Sequence, residues 1–345
     1  MQEKNNQRNI NPQEFPFNKD LQSQIKFVLQ YAILAPSTHN TQPWLFKITG
    51  NKCEVYYDPK LQLPEADPKA RDLYISIGCA IENLILAAKF FNIFGDIKYS
   101  STENEFHIAT ITFKENSNHF NNKYASIVET ILKRINARGV FFPKPIPHDF
   151  LDKITEKVSE YIVDGIKINW IREEEKIKSL ASLTAEGLKI AYKKNSFRKE
   201  MSMWMNNSLT KKKEGIPGYA LKMPVLLSFI LPKLVKFFNI GNFLAKKNYQ
   251  SLSSAPLIVV ITSKSEDSKT WLQIGRLVER LMLEFQNAQW QTSIFVASIE
   301  MEDLYKEVKK IINPTEKPQF LFAVGLIDSL HQPTPRHKLN KKIIF

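Results

Sequence analysis

Along residues 21–34 the apolar positions Leu21, Ile25, Val28, Tyr31 and Ala32 recur at three- and four-residue steps. That spacing predicts one face of a helix, with Asp20 placed to cap it. The apolar run continues to residue 34 and stops at Pro36, because a residue before proline is pushed out of helical geometry. An unbroken polar row follows, Ser37-Thr38-His39-Asn40-Thr41-Gln42, closed by Pro43 and the aromatic Trp44. Residues 44–49 and 53–57 read as two strands about a Gly50-Asn51 turn. Asp67-Pro68 marks the start of a helix to about residue 91, with Leu73, Ile77, Ile81, Leu84 and Ala88 on one face. Residues 107–113 alternate as a half-buried strand does.

The pattern then restarts. A short helix is expected over 125–133, and Pro147 opens another whose buried face is Phe150, Leu151, Ile154 and Val158. Two charged amphipathic helices are expected over 173–194 and 197–209. Residues 210–250 mix apolar side chains with lysine; a membrane-surface helix and a flap over the protein both fit, and the length of the insertion favours the flap. Residues 254–262 form a continuous apolar strand of the kind buried on both faces. Thr270 and Gln273 suit a capping box for a helix carrying the stripe Trp271, Ile274, Val278, Leu281, Met282 and Phe285. Residues 319–325 are a last buried strand, 1–17 a loose flexible tail, and 326–345 a basic one. Strands and helices mix without regular βαβ alternation, so the chain reads as α+β. Its divisions are expected at 18–124 and 125–345, with a lid-like insertion at about 210–250.

Composition narrows the classes. With 345 residues, 43% of them apolar, the chain can bury a core large enough for two lobes, and only 11 glycines argue against a low-complexity protein. A net charge of +13 raises the question of an anionic partner, but no aromatic-basic recognition motif accompanies it, so nucleic acid is set aside. Cys53 and Cys79 lie in apolar segments and read as core packing in a reduced, cytoplasmic protein. The first 13 residues lack the apolar centre of a secretory signal, and the most apolar stretch, 223–231, is too short to insert stably in a membrane.

The six histidines are scattered, with no metal-ligand spacing, no Gly-x-Ser-x-Gly elbow stands beside Ser37, and no glycine-rich phosphate loop is present. Two constellations remain. The polar row 37–42 supplies short donors and acceptors suited to the edge of a planar ring, and by itself it is also an ordinary turn. Arg134 and Arg138, four apart with Asn136 between, suit a phosphate; taken alone, such a pair is more often a solvated surface pair.

Together, Ala35-Pro36-Ser37-Thr38-His39-Asn40-Thr41-Gln42-Pro43-Trp44 closely resembles the signature loop of the FMN-dependent nitroreductase superfamily. Arg134-Ile135-Asn136-Ala137-Arg138 resembles its second signature, and segments after Trp271 and Pro318 look like later family segments. In ordinary members the arginine signature precedes the loop and two chains pair; here the order is reversed and each motif occurs once. The chain therefore resembles the Acg-like, twin-nitroreductase branch, in which one chain imitates the dimer, a monomer acting as a pseudo-dimer around one FMN. The resemblance implies that Ser37, Thr38, His39, Asn40 and Gln42 line the flavin, with Trp44 packed behind. It also implies that Arg134, Asn136 and Arg138 hold the ribityl and phosphate end, that Thr292 and Ser293 approach the ring, and that Arg336 is a further phosphate contact. Ile135, Asn136, Ala323 and Gln289-Trp290 depart from the usual pattern. The activity implied is passage of reducing equivalents from NAD(P)H through FMN to a nitro compound or quinone, the flavin carrying the chemistry with no catalytic side chain; the alternative is an FMN-sequestering protein with little turnover. Asn40 and Arg138, remote in sequence, are expected to flank one cofactor.

Overall fold

In the computed structural model, which describes residues 7–100, 106–116, 119–163, 165–301 and 303–345, the apolar runs become two mixed α/β layers joined through two central helices. The first part carries α1 (Leu21–Ala32), β1 (Trp44–Thr49), β2 (Lys52–Tyr57), α2 (Arg71–Phe90), β3 (Phe94–Tyr99) and β4 (His107–Phe113). The second begins with α3 (Ala125–Lys133), β5 (Phe141–Phe142), α4 (His148–Lys157) and β6 (Lys167–Ile171). A helical excursion follows: α5 (Glu174–Lys193), α6 (Asn195–Trp204), β7 (Met205–Asn206), β8 (Ile216–Pro217), α7 (Val225–Phe237) and α8 (Gly241–Ser253). The chain then returns through β9 (Leu257–Ser263), α9 (Ser268–Asn287), β10 (Gln291–Ile294), α10 (Ala297–Glu300), α11 (Leu304–Ile312), β11 (Lys317–Ile327) and β12 (Ile343–Ile344).

Both sheets are wound alike. The first runs β12-β1-β2-β4-β3 and the second β6-β9-β11-β10, with β5 added against β11. Within each four-stranded core all pairings are antiparallel, and the long helix, α2 or α9, follows the second strand. These two helices meet backbone to backbone. A Cβ on Gly78 would lie 2.3 Å from the Leu272 carbonyl oxygen, and one on Gly275 would lie 2.1 Å from that of Ile75. Each glycine thus meets the residue three before the other, and no side chain fits at either. Around the crossing, Ile77, Ile81 and Leu84 bury against the first sheet, and Ile274, Val278 and Leu281 against the second.

The Asp20 cap is present: its Oδ1 accepts the Ser23 N–H at 2.8 Å. The cap of α9 is Asp267, whose Oδ1 accepts the Thr270 N–H at 2.8 Å; the Thr270/Gln273 box is replaced because a carboxylate three residues earlier competes for the same N–H. Asp67 likewise accepts the Leu73 N–H, but the helix it was expected to open begins at Arg71. The helix expected to 209 ends at Trp204, where the chain goes extended into β7. Cys53 and Cys79 are free and buried.

Both tails depart from expectation. Residues 1–6 of the N-terminal one lie outside the described residues, but Arg8 donates to the carbonyls of Ile131 and Leu132, and Phe15 stacks on Phe91 with ring centroids 4.8 Å or less from Phe17 and Phe91. At the C-terminus Ile343 and Ile344 extend the first sheet beside Phe46 and Lys47, and Lys342 is buried, its Nζ donating to the Gln42 carbonyl. An apolar pair completing an open sheet edge outweighs the basic character of the segment. One described helix, α2, is long and apolar enough to cross a membrane, and 89% of its apolar window is buried inside the fold.

Candidate functional site

After α1 ends, residues 37–42 form a loop under backbone strain. His39, Asn40 and Gln42 take φ values of +52°, +58° and +55°. Asn tolerates this left-handed region, whereas His and Gln adopt it at a cost of about 1–3 kcal/mol each, sustained only by surrounding structure. The fixing bonds are local and to α2. Ser37 Oγ accepts the Gln42 N–H at 2.9 Å, Ser76 Oγ accepts the Thr38 N–H at 3.3 Å, and Thr38 Oγ1 donates to Asp72 at 3.2 Å.

The two amides of the loop are engaged with backbone. Asn40 Nδ2 donates to the carbonyls of Lys213, Gly215 and Pro335, while its Oδ1 accepts from Arg336 at 2.7 Å. Gln42 Nε2 donates to the Lys213 carbonyl at 2.6 Å, and its Oε1 accepts the His337 N–H at 2.9 Å. Both side chains are buried and act as ties between the loop, the 213–215 segment and the 335–337 segment. Trp44, at the start of β1, is fully buried.

The arginine segment arrives from the other sheet. Ala137 N–H donates to the Thr292 carbonyl at 2.8 Å, and Asn136 Oδ1 accepts the Ile294 N–H at 3.0 Å, so 134–138 runs beside β10. Gln286 brackets the backbone of Ile135 and also reaches Thr292 Oγ1 at 3.1 Å. Thr292 and Ser293 are buried, Ser293 opposite Ala323. Arg134 is buried rather than solvated: it donates to the Leu34 carbonyl at 3.2 Å and its Nε lies 3.2 Å from Glu279 Oε1. Arg336 donates to the same Leu34 carbonyl at 3.3 Å and to that of Ala35 at 2.9 Å. One carbonyl at the mouth of the loop thus joins two arginines from distant parts of the sequence.

Several groups remain open. His39 Nε2 is buried without a hydrogen-bond partner, as are Trp44 Nε1 and Arg336 Nε. Arg138, half-buried, makes no hydrogen bond or ion pair among the described residues and lies within electrostatic reach of His39 and Tyr192. Burial, helped by the Arg138 cation and opposed by Asp72, pushes the His39 pKa down to about 4, so its ring is neutral at pH 7. The surroundings carry surplus positive charge. Arg8, Arg134 and Arg336 share one carboxylate, Glu279; burial and this crowding lower Arg8 to about 9 and Arg336 well below its usual value. A neutral ring nitrogen, an unpaired guanidinium and a positive field together suit an electron-rich, anionic ligand.

No family model matches the sequence. Along 90% of its length the chain is 21% identical to "Putative NAD(P)H nitroreductase acg" of Mycobacterium tuberculosis, covering 91% of that protein. The sequence is similar to acg along nine-tenths of its length. A second M. tuberculosis protein, "Putative NAD(P)H nitroreductase Rv3131", is 32% identical over 88 residues, a match spanning 26% of that relative's length. Among solved structures, the FMN- and NADPH-dependent nitroreductase NfnB from Sphigopyxis sp. strain HMH superposes with a TM-score of 0.43 at 14% identity, over 64% of this chain and 98% of that one. NfnB from Mycobacterium smegmatis, in complex with NADPH, gives 0.41 at 13%, over 64% and 98%.

At the seam between the two sheets, the loop of Ser37, Thr38, His39, Asn40 and Gln42, followed by Trp44, meets Arg336 through Asn40, Arg134 through the Leu34 carbonyl and, within electrostatic reach, Arg138, while Asn136 runs beside the β10 strand of Thr292 and Ser293. Sequence reasoning passed over Glu279, Gln286, Asp72 and Arg8, which hold that seam. Glu279 carried a signal: it is a carboxylate one residue after Val278 in the apolar stripe of α9, and it is fully buried. Arg8 carried none, since a basic residue in a polar N-terminus looks solvated.

Proposed function

We propose that the chain is an FMN-binding NAD(P)H oxidoreductase of the nitroreductase type, acting on a small acceptor such as a nitro compound or quinone. It is read as two fused units, 18–124 and 125–345, paired as a monomeric pseudo-dimer around one cofactor, with residues 210–250 as a covering insertion. The observation that carries the reading is the meeting of the strained loop 37–42 with the 134–138 segment, leaving His39 Nε2 without a hydrogen-bond partner and within electrostatic reach of Arg138, which makes no hydrogen bond or ion pair among the described residues. The similarity to acg along nine-tenths of the chain supports it.

These residues fit FMN. Arg138 is the cation available to its phosphate, His39 lies within its electrostatic reach, Ser37 and Thr38 are half-buried groups of the same loop, and Thr292 holds the segment before Arg138 through its carbonyl bond to Ala137. Asn40, Gln42 and Arg336 serve by holding the loop in its strained form, and Arg134 by anchoring the second segment to Leu34. When bound, FMN supplies hydride-transfer chemistry that no side chain can. The protein's own part is a preorganised positive field from Arg8, Arg134 and Arg336, which favours added electron density.

The carbonyls of Lys213 and Gly215 cap Asn40 and Gln42, which favours a second reading in which the insertion retains FMN with little turnover. One experiment separates the cases. The purified protein should show flavin absorption, directly or after added FMN, and anaerobic NADPH or NADH should bleach it. Persistent colour supports retention; a protein that takes up no FMN ends both readings.

A further inference from the structure

Large exposed apolar side chains are concentrated in one place. Of 17 such residues among those described, nine fall within 225–249, including Leu226, Phe229, Ile230, Phe237, Phe238 and Phe243. Leu226 is 83% exposed, Phe237 67%, and Phe238 and Phe243 62% each. Scattered single apolar residues are ordinary, but a contiguous cluster marks an interaction surface. The two helices that carry it are bent by 117° from one another across a short break, and the three phenylalanines sit at that corner. The inner side of α7 is already occupied by Ser228, Leu231 and Val235, all buried, and that of α8 by Ala245 and Leu252. The apolar face therefore points away from the protein.

Charge identifies what covers it. No Asp or Glu occurs between Glu214 and Glu266, while Lys233, Lys236, Lys246 and Lys247 are exposed around the corner. A second copy of this chain would bring like charges together around the patch, which disfavours self-association. Aromatic and aliphatic side chains ringed by lysine match an anionic lipid interface, where rings enter at headgroup depth and lysines meet phosphates. We infer that the α7–α8 corner docks the protein peripherally on an anionic membrane surface. This does not rest on the flavin reading.

The test is sedimentation of the full chain with vesicles of equimolar phosphatidylglycerol and phosphatidylcholine, against vesicles of phosphatidylcholine alone. Partitioning onto the anionic vesicles should fall with added salt. The combined change Phe237→Ser, Phe238→Ser, Phe243→Ser should weaken it about tenfold or more, as should Lys246→Gln with Lys247→Gln, since each lysine contributes roughly fivefold in affinity. All five side chains are exposed, so melting temperatures should match the parent; if the phenylalanine variant nevertheless unfolds, the lysine pair and the salt dependence decide. No partitioning, or partitioning indifferent to salt and to the lysine pair, overturns the inference. A concentration-dependent dimer abolished by the phenylalanine changes, with no vesicle binding, would assign the corner to a second copy instead.

Discussion

The two sheets share one winding and differ most at one connection. Between β1 and β2 the chain turns through Gly50-Asn51; between β6 and β9 it departs for residues 172–256. Nothing in the second sheet requires the excursion, because its strand pairing is as regular as that of the first. What the excursion adds is reach: the Lys213 and Gly215 carbonyls that receive Asn40 and Gln42, and the apolar corner of α7 and α8. Symmetry thus builds the frame, and the departures from it build the site. The first part contributes the strained loop and the second contributes Arg134 and Arg138, and neither contributes both.

If the frame is symmetric, its crossing should respond symmetrically. Gly78→Ala and Gly275→Ala each place a methyl group against a backbone carbonyl that cannot move aside, at 2.3 and 2.1 Å. We expect each to lower unfolding free energy by about 3 kcal/mol, at the upper end of overpacking effects, measured by denaturant titration. A loss at one glycine with none at the other would break the symmetry between the parts.

Much of the frame was legible. The β1–β2 hairpin, α3 and the buried run of β9 follow from period and turn chemistry alone, because their signals are local. Strands β3 and β6 were not. Gly95, Asp96 and Lys98 interrupt the apolar pattern of the first, and the second is a short run with one buried residue; both lie at sheet edges, where polar side chains meet solvent. The site was legible in residue type and not in role. An amide such as Asn40 can bind a ligand or a backbone carbonyl, and the choice is made by Gly215, Pro335 and Arg336, far away in sequence.

That division of roles gives the next contrast, between a tie and a contact. Asn40→Ala removes donations to three carbonyls, leaves Arg336 without its Asn40 acceptor, and puts alanine at a φ of +58°. It should lower stability by about 2 kcal/mol. Arg138→Ala breaks no hydrogen bond or ion pair among the described residues, so stability should change by no more than about 0.5 kcal/mol. Its FMN affinity, by fluorescence quenching of added flavin, should nevertheless fall about tenfold or more through loss of a charge-assisted contact. Equal effects of the two changes on stability would erase the distinction.

The smallest effect concerns His39. Its folded pKa, about 4, lies below the ordinary value of 6.5, so between those pH values the unfolded chain holds a proton that the folded chain refuses. Stability must therefore fall as pH drops from about 6.5 to about 4, by at most about 1.4 kcal/mol per pH unit, and fall no further on this account below that. Asp67 works in the opposite sense. Burial and the neighbouring Asp72 raise its carboxyl from 3.8 to about 7, so the stability it contributes is complete at low pH and is lost as pH rises through that window. The two slopes overlap, and the parent curve alone does not separate them. The difference between the parent and His39→Phe does, because Asp67 is common to both. That difference should change by about 1 kcal/mol per pH unit between pH 4 and 6.5 in favour of the phenylalanine variant as pH falls. A flat difference would mean that His39 is protonated freely in the folded chain, and that its Nε2 is not the buried, unpartnered group that sets it apart from Asn40 and Gln42.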